Sequence, residues 1–117
     1  MNGSAQLVYQ IKDGLAAIGL EFSDNSFSEN MLLKSRRYLS WIKATDHRPA
    51  IDALVGLYVR LTGVHDQLLA EQRTSDADLV EHLGDLLWSA IRADTLAGVN
   101  AASIMPGKGD DLVGAVQ

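Results

Sequence analysis

The sequence predicts an all-α protein, and three observations support this fold class. Apolar residues recur at helical spacing in successive segments, as at Ile11, Leu15 and Ile18. No stretch shows the sustained apolar and polar alternation of a half-buried strand. The chain has 117 residues, enough for one hydrophobic core, and contains no cysteine that could form a disulfide or bind a metal.

Two helices are expected in the first third of the chain. The first spans residues 5–19, where Gly19 is suited to end a helix because glycine tolerates a left-handed conformation. Ser26 and Glu29 have the spacing of a capping box, which predicts the start of a second helix. We expect that helix to run to about Leu33.

The middle of the chain predicts two further helices. Ser35 is a candidate N-cap for the third, in which Leu39 and Ile42 share an apolar face. Pro49 interrupts the pattern and suits the start of the fourth helix. Gly63 is expected to end it.

A short helix over residues 64–71 and a longer one over residues 75–97 are expected next. The long helix carries a broad apolar stripe that either dimerises the protein or completes the core of one chain. The stripe consists of Leu79, Leu83, Leu86, Leu87 and Ile91. Residues 98–117 are rich in glycine and small residues, and a flexible tail is predicted there.

The charge distribution is uneven. The formal net charge is −5, which is unusual for a protein that binds nucleic acid. Residues 34–48, however, contain five basic side chains and a single acid, Asp46. This concentration predicts one localised contact with an anion on an otherwise acidic protein.

Within this basic region the sequence resembles the Cro and phage-repressor (XRE-type) class of helix-turn-helix proteins, which occur in bacteria and phages. The similarity continues into the leucine spacing of the fourth helix, at residues 54, 57 and 61. The residues that agree with the family pattern are Ser35, Arg36, Tyr38, Leu39, Ser40, Ile42, Arg48 and Pro49.

The resemblance implies a λ-repressor-like helix-turn-helix bundle of four to five short helices plus a longer C-terminal helix. It assigns residues 1–63 to DNA binding, residues 64–97 to core capping or dimerisation, and residues 98–117 to the tail. One departure is Leu33, which stands where the family has glycine and would be strained in a left-handed turn. Either the turn is one residue longer, with Phe27 and Ser28 replacing the usual leucine-alanine pair, or its geometry is altered.

The implied activity is sequence-specific binding of double-stranded DNA through helix 3 in the major groove, as a homodimeric transcriptional regulator. The base-contacting residues are expected to be Arg36, Arg37, Ser40 and Trp41, and the phosphate-contacting residues Lys34, Ser35, Lys43, His47 and Arg48. Trp41 has three interpretations: an anchor buried against helix 4, an interface residue or a groove contact.

The alternative function is a protein-interaction module that keeps the helix-turn-helix scaffold without binding DNA. No enzyme, cofactor, metal or small-molecule ligand is predicted, because His47, His65 and His82 lie far apart without ligand spacing. Neither a signal peptide nor an apolar run of membrane-spanning length is recognisable. A cytoplasmic protein that does not enter a membrane is therefore expected.

Overall fold

The computed structural model of the protein describes residues 3–102, with side chains for residues 3–97. This part of the chain forms five α-helices and no strand, which confirms the all-α class. The helices are α1 (Gly3–Ala17), α2 (Asp24–Asn30), α3 (Tyr38–Thr45), α4 (Ile51–Ala70) and α5 (Thr74–Ala102).

One hydrophobic core connects the helices. The long helices α4 and α5 form the most extensive contact, α1 packs on α5, and α2 packs on α3. Leu15, Leu57 and Leu87 are fully buried where these helices meet. The two short helices α2 and α3 thus form a pair at one side of a frame built from α1, α4 and α5.

The end of α1 agrees with the prediction for Gly19. The helix ends at Ala17, and Gly19 adopts a φ of +92°. The Leu20 N–H donates to the carbonyl of Leu15 at 2.8 Å, and the Gly19 N–H donates to the carbonyl of Ala16 at 3.0 Å. These two bonds form a Schellman motif, which satisfies the last carbonyls of the helix.

The start of α2 differs from the predicted capping box. The N-cap is Ser23, whose Oγ accepts a hydrogen bond from the Ser26 N–H at 3.1 Å. Ser26 is therefore the residue that donates to the cap, and Glu29 does not form a box with it. The helix also ends at Asn30 rather than at Leu33.

A buried serine joins α2 to α3. Ser28 is fully buried, and its hydroxyl donates to the carbonyl of Asp24 at 2.8 Å. The same oxygen accepts the N–H of Leu39 in the first turn of α3 at 3.0 Å. The first N–H groups of a helix have no acceptor within the helix and are usually capped by a local side chain. Here Ser28 of α2 provides the acceptor instead.

The predicted N-cap at Ser35 is wrong, because Ser28 and not Ser35 accepts an N–H group of the first turn of α3. Helix α3 begins at Tyr38, and its N-cap residue is Arg37, whose side chain makes no capping hydrogen bond. Ser35 belongs to the preceding turn, where its carbonyl accepts the Tyr38 N–H at 3.0 Å.

Helix α4 continues through Gly63, where the sequence predicted a break. Its apolar stripe extends from Leu61 to the buried Leu68, and burial of that stripe outweighs the cost of one glycine, about 1 kcal/mol relative to alanine. The helix ends where Gln72 adopts a φ of +61° and the Arg73 N–H donates to the carbonyl of Leu68 at 2.8 Å.

The predicted domain boundary after residue 63 therefore falls inside a helix. Helix α5 begins at Thr74 and continues past Gly98 to Ala102, so the first five residues of the predicted tail are helical. The remaining residues of that tail, 103–117, lie outside the described residues.

We expect the Ser28→Ala variant to lower the free energy of unfolding by about 1–3 kcal/mol, because it leaves the buried Leu39 N–H without an acceptor. Equilibrium urea unfolding measures the change. Ser40→Ala, which alters an exposed serine on α3, is the matched control and should have almost no effect. Equal stability of the two variants would contradict the role assigned to Ser28.

Candidate nucleic-acid interface

Helix α3 presents one buried and one exposed face. Leu39 and Ile42 are fully buried beneath it. On the opposite side Ser40, Trp41 and Ala44 are exposed. The buried pair fixes the rotation of the helix about its axis, so the outward residues form a surface that is available to a ligand.

The turn that leads into α3 spans residues 31–37. Leu33 adopts a left-handed conformation with a φ of +57°, which for a residue with a Cβ costs roughly 1–2 kcal/mol. Phe27 and Ser28 are both fully buried, as expected if they replace the leucine-alanine pair in a turn that is one residue longer. In this turn leucine therefore adopts the left-handed conformation that glycine usually adopts.

Trp41 is not an anchor buried against helix α4. Its side chain is 47% exposed, and its ring stacks on His47 with 4.5 Å between centroids. Thr45 supports this arrangement, because its hydroxyl lies 2.7 Å from Nδ1 of His47 and donates to the carbonyl of Trp41 at 2.6 Å. The contact holds a large aromatic surface half in solvent beside the exposed face of α3.

Tyr38 connects α3 to the start of α4. Its ring is half-buried, and its hydroxyl oxygen accepts the N–H of Ala50, the N-cap residue of α4, at 2.8 Å. Pro49, which precedes Ala50, is buried. These contacts fix the distance between α3 and α4 across an irregular loop that also contains His47 and Arg48.

The basic residues of the predicted site divide into two groups. Arg36, Arg37 and Lys43 are exposed, and within the described part of the chain none of them forms an ion pair. The Lys43 ammonium lies 5.8 Å from the centroid of the Tyr9 ring, which places it at the flank of α3 that faces α1. These three cations near α3 are thus accessible to an external partner.

Lys34 and Arg48 are already paired within the chain. Lys34 Nζ lies 2.7 Å from Oδ2 of Asp52, and Arg48 approaches Asp94 at 3.9 Å. The close hydrogen bond lowers the pKa of the Asp52 carboxyl and raises the pKa of Lys34. Both cations remain partly exposed, so each can still contact a phosphate, but a neighbouring carboxylate reduces the attraction.

Sequence reasoning missed two residues of this surface. Ala44 lies in the middle of the outward face of α3, where a small side chain permits close approach of a ligand. Asp52 is the acid that binds Lys34, and no local sequence pattern predicts this pair because the two residues are 18 positions apart. Ser35, predicted as a phosphate contact, is exposed beside these residues.

The residues predicted for dimerisation lie mainly inside the protein. Leu83, Leu87 and Ile91 are buried in the core of a single chain, and Leu79 packs against it half-buried. Leu86 is also only partly exposed. The burial of these side chains favours the alternative that α5 completes the core, and it leaves little of this stripe accessible to a second chain.

A shallow groove lies between α4 and α5. Tyr58 and His65 line its α4 side, and Glu81, Gly84 and Asp85 line its α5 side. His65 approaches Asp66 at 3.5 Å, whereas His47 stacks on Trp41 at α3. In the described part of the chain, no group of three or more histidine or acidic residues could hold a metal ion.

Comparison with known proteins places the chain in a family. A family model described as a family of unknown function, DUF6626, matches residues 8–100. The chain belongs to DUF6626. No curated protein and no solved structure matches it. The DUF6626 match extends from α1 into α5 and so includes the whole α2–α3 pair. Among the described helices of this DUF6626 protein, none is long and apolar enough to span a membrane.

We expect NMR titration to show the pKa of the Asp52 carboxyl below its ordinary value, and Lys34→Gln to return it toward that value. Because the folded-state pKa is lowered, the pair stabilises the fold above the unfolded-state pKa of Asp52. That contribution is lost as the pH falls through the folded-state pKa. An Asp52 titration that Lys34→Gln leaves unchanged would show that the pair does not form in solution.

Proposed function

We propose that the protein binds double-stranded DNA by placing α3 in the major groove, and that it acts in the cytoplasm as a helix-turn-helix regulator of transcription. The observation that carries the proposal is the surface of α3. It combines an exposed polar and aromatic face with three cations that form no ion pair among the described residues, on a protein whose net charge is negative.

The dimensions of α3 suit this role. A major groove about 12 Å wide accepts one α-helix and displays base edges that arginine can read with two hydrogen bonds at guanine. Arg36 and Arg37 lie at the N-terminus of α3, where the helix dipole also favours an anion. Ser40 and Trp41 follow one turn later on the same exposed side, within reach of base edges, sugars or a thymine methyl group.

The surroundings of α3 supply contacts to the DNA backbone. Lys34 and Ser35 precede the helix, Lys43 lies at its flank, and His47 and Arg48 follow it. Phosphate contacts on both sides of a recognition helix fix its position along the duplex without reading sequence. The paired state of Lys34 and Arg48 makes Lys43 the strongest phosphate contact of this group.

The connection between α2 and α3 also supports a helix-turn-helix. Phe27 and Ser28 are buried and Leu33 is left-handed, which supports a correspondence of the first two with the family's leucine-alanine pair and of Leu33 with its glycine. The hydrogen bond from Leu39 to Ser28 holds the two helices at a fixed crossing. With a fixed crossing, α2 and α3 can approach the major groove as one rigid unit.

The alternative function, protein interaction without DNA binding, is favoured by a different surface. Ile51, Val55 and Val59 form an exposed apolar stripe on α4. Exposed apolar patches often mark protein contacts. This alternative predicts that the folded protein retains no duplex, whatever its sequence.

Selection from fragmented genomic DNA and a random duplex pool, at physiological salt with excess competitor, tests the proposal. We expect the wild type to enrich a discrete sequence and the Arg36→Ala, Arg37→Ala double variant to enrich none. Arg92→Ala, which removes an exposed arginine from α5, should behave as the wild type does. Failure of the folded wild type to enrich any sequence would reject DNA binding and favour the alternative.

Two single variants separate base reading from phosphate contact. Arg36→Ala should cost about 1–3 kcal/mol on the selected sequence and relax specificity at one position. Lys43→Ala should weaken binding to selected and random duplexes alike, and the salt slope should fall by about 0.9 for one lost phosphate contact. Fluorescence anisotropy across a salt series measures both. Identical behaviour of the two variants on both duplexes would contradict the groove assignment.

Asp52→Asn should tighten binding to selected and random duplexes, because it frees the Lys34 ammonium and removes a negative charge near α3. The gain should shrink as salt rises. Asp66→Asn, which removes an exposed acid from the other end of α4, is the control and should change affinity less. Weaker binding by Asp52→Asn would contradict the assignment of Asp52 as a competitor of the DNA backbone for Lys34.

A further inference from the structure

The outward face of α4 carries an apolar surface that no other part of the described structure covers. Ile51, Val55 and Val59 follow one another at intervals of four residues and are 37%, 42% and 61% exposed. Leu33, at 53% exposed, lies against α4 beside Gly56. We call these four side chains the α4 patch. The opposite face of the same helix supplies buried leucines to the core.

The residue types in the α4 patch are unfavourable for a helix that faces only water. Valine and isoleucine lose side-chain freedom in a helix and therefore have low helix propensity at exposed positions. Leu33 adopts a strained left-handed conformation. Because about half of its side chain is in solvent, burial of Leu33 offsets little of that strain. Both costs are offset when a second apolar surface covers the patch.

The charges beside the patch indicate which surface that is. Asp52 and Arg60 are exposed and lie four residues before and four residues after Gly56. A second copy of α4, placed antiparallel about a two-fold axis near Gly56, brings Asp52 of each copy opposite Arg60 of the other. Such an interface is self-complementary, as two-fold symmetry requires.

Neither charge prevents this pairing. Within the described residues Arg60 forms no ion pair. The Asp52 carboxylate binds Lys34 through Oδ2 and is itself exposed, so a second cation can approach it. Two ion pairs related by the axis would fix the antiparallel direction, because a parallel pairing brings Asp52 against Asp52.

We propose that the α4 patch is the contact between two copies of this chain, packed antiparallel through residues 51–61 of α4. The contact is about 16 Å long, at a rise of 1.5 Å per residue. That length puts the buried area at the low end for protein interfaces, so we expect a weak, reversible dimer. The assignment does not depend on DNA binding, and it replaces the α5 leucines as the dimer contact.

Sedimentation equilibrium without DNA tests the proposal. We expect the wild type to dimerise with a Kd between about 1 and 100 µM, and Val59→Glu to raise that Kd by at least about tenfold. Leu69→Glu is the matched control, because Leu69 is 47% exposed on the same helix but lies outside the contact. Its Kd should equal that of the wild type. Circular dichroism confirms that each variant is folded.

A cysteine-free chain permits a second test of the geometry. In the proposed register the two copies of residue 55 are offset by about 3 Å along the helix axes, and the two copies of residue 69 by about 39 Å. A short bifunctional thiol crosslinker should therefore join two chains of Val55→Cys and should not join two chains of Leu69→Cys. This readout does not require a destabilising substitution.

Charge reversal tests the direction of pairing. Arg60→Asp places like charges opposite each other and should raise the Kd at least about tenfold, whereas the Lys34→Gln, Asp52→Arg, Arg60→Asp triple variant should return it close to the wild-type value. Lys34→Gln is included because Lys34 would otherwise repel the arginine introduced beside it. A chain that stays monomeric up to roughly 500 µM overturns the proposal. Three other results would also overturn it: a dimer that Val59→Glu leaves intact, a Val55→Cys variant that does not crosslink, or a triple variant that remains as weak as Arg60→Asp alone.

Discussion

The placement of α3 depends on hydrogen bonds from outside the helix. An isolated helix of eight residues is too short to persist in water, where even favourable sequences need about 12–15 residues. Ser28 from α2 accepts the N–H of Leu39 in the first turn of α3, and Tyr38 of α3 accepts the N–H of Ala50 just before α4. Leu39 and Ile42 are buried on the inner side of α3. Because other parts of the chain stabilise α3, its outer face contributes little to folding. That face can therefore carry arginine, serine and a half-exposed tryptophan at small cost to stability.

The all-α class and the end of α1 could be predicted from the sequence, whereas most other helix ends could not, and the helix predicted over residues 64–71 is the second half of α4. Hydrophobic periodicity indicates which face of a helix is buried, and it located the helices that carry a long apolar stripe. Ser23, Ser26, Ser28 and Ser35 lie close together, and each is a plausible cap. The choice among them was made by contacts between helices, above all the bond from Leu39 to Ser28 across 11 residues. A local pattern cannot report such a contact.

The same reasoning applies to the candidate site. The clustering of cations and the apolar inner side of α3 were visible in the sequence, and the structure places Arg36, Arg37 and Lys43 at the surface as expected. Which cations are neutralised was not visible. Lys34 and Arg48 meet acids from α4 and α5 that are distant along the chain, and only the fold brings them together. The exposed stripe on α4 was missed because apolar character alone does not distinguish an exposed valine from a buried one.

Asp94 joins three distant segments of the chain. Its carboxylate accepts the Ser4 hydroxyl at 2.8 Å near the start of α1 and lies 3.9 Å from Arg48 in the loop after α3. Helix ends open more readily than helix centres. When α5 unwinds as far as Asp94, the first turn of α1 loses a tether in the same event and Arg48 becomes an unpaired cation. Amide exchange at the beginning and at the end of the folded chain is therefore coupled, and the charge presented beside α3 varies with the length of α5 that is intact.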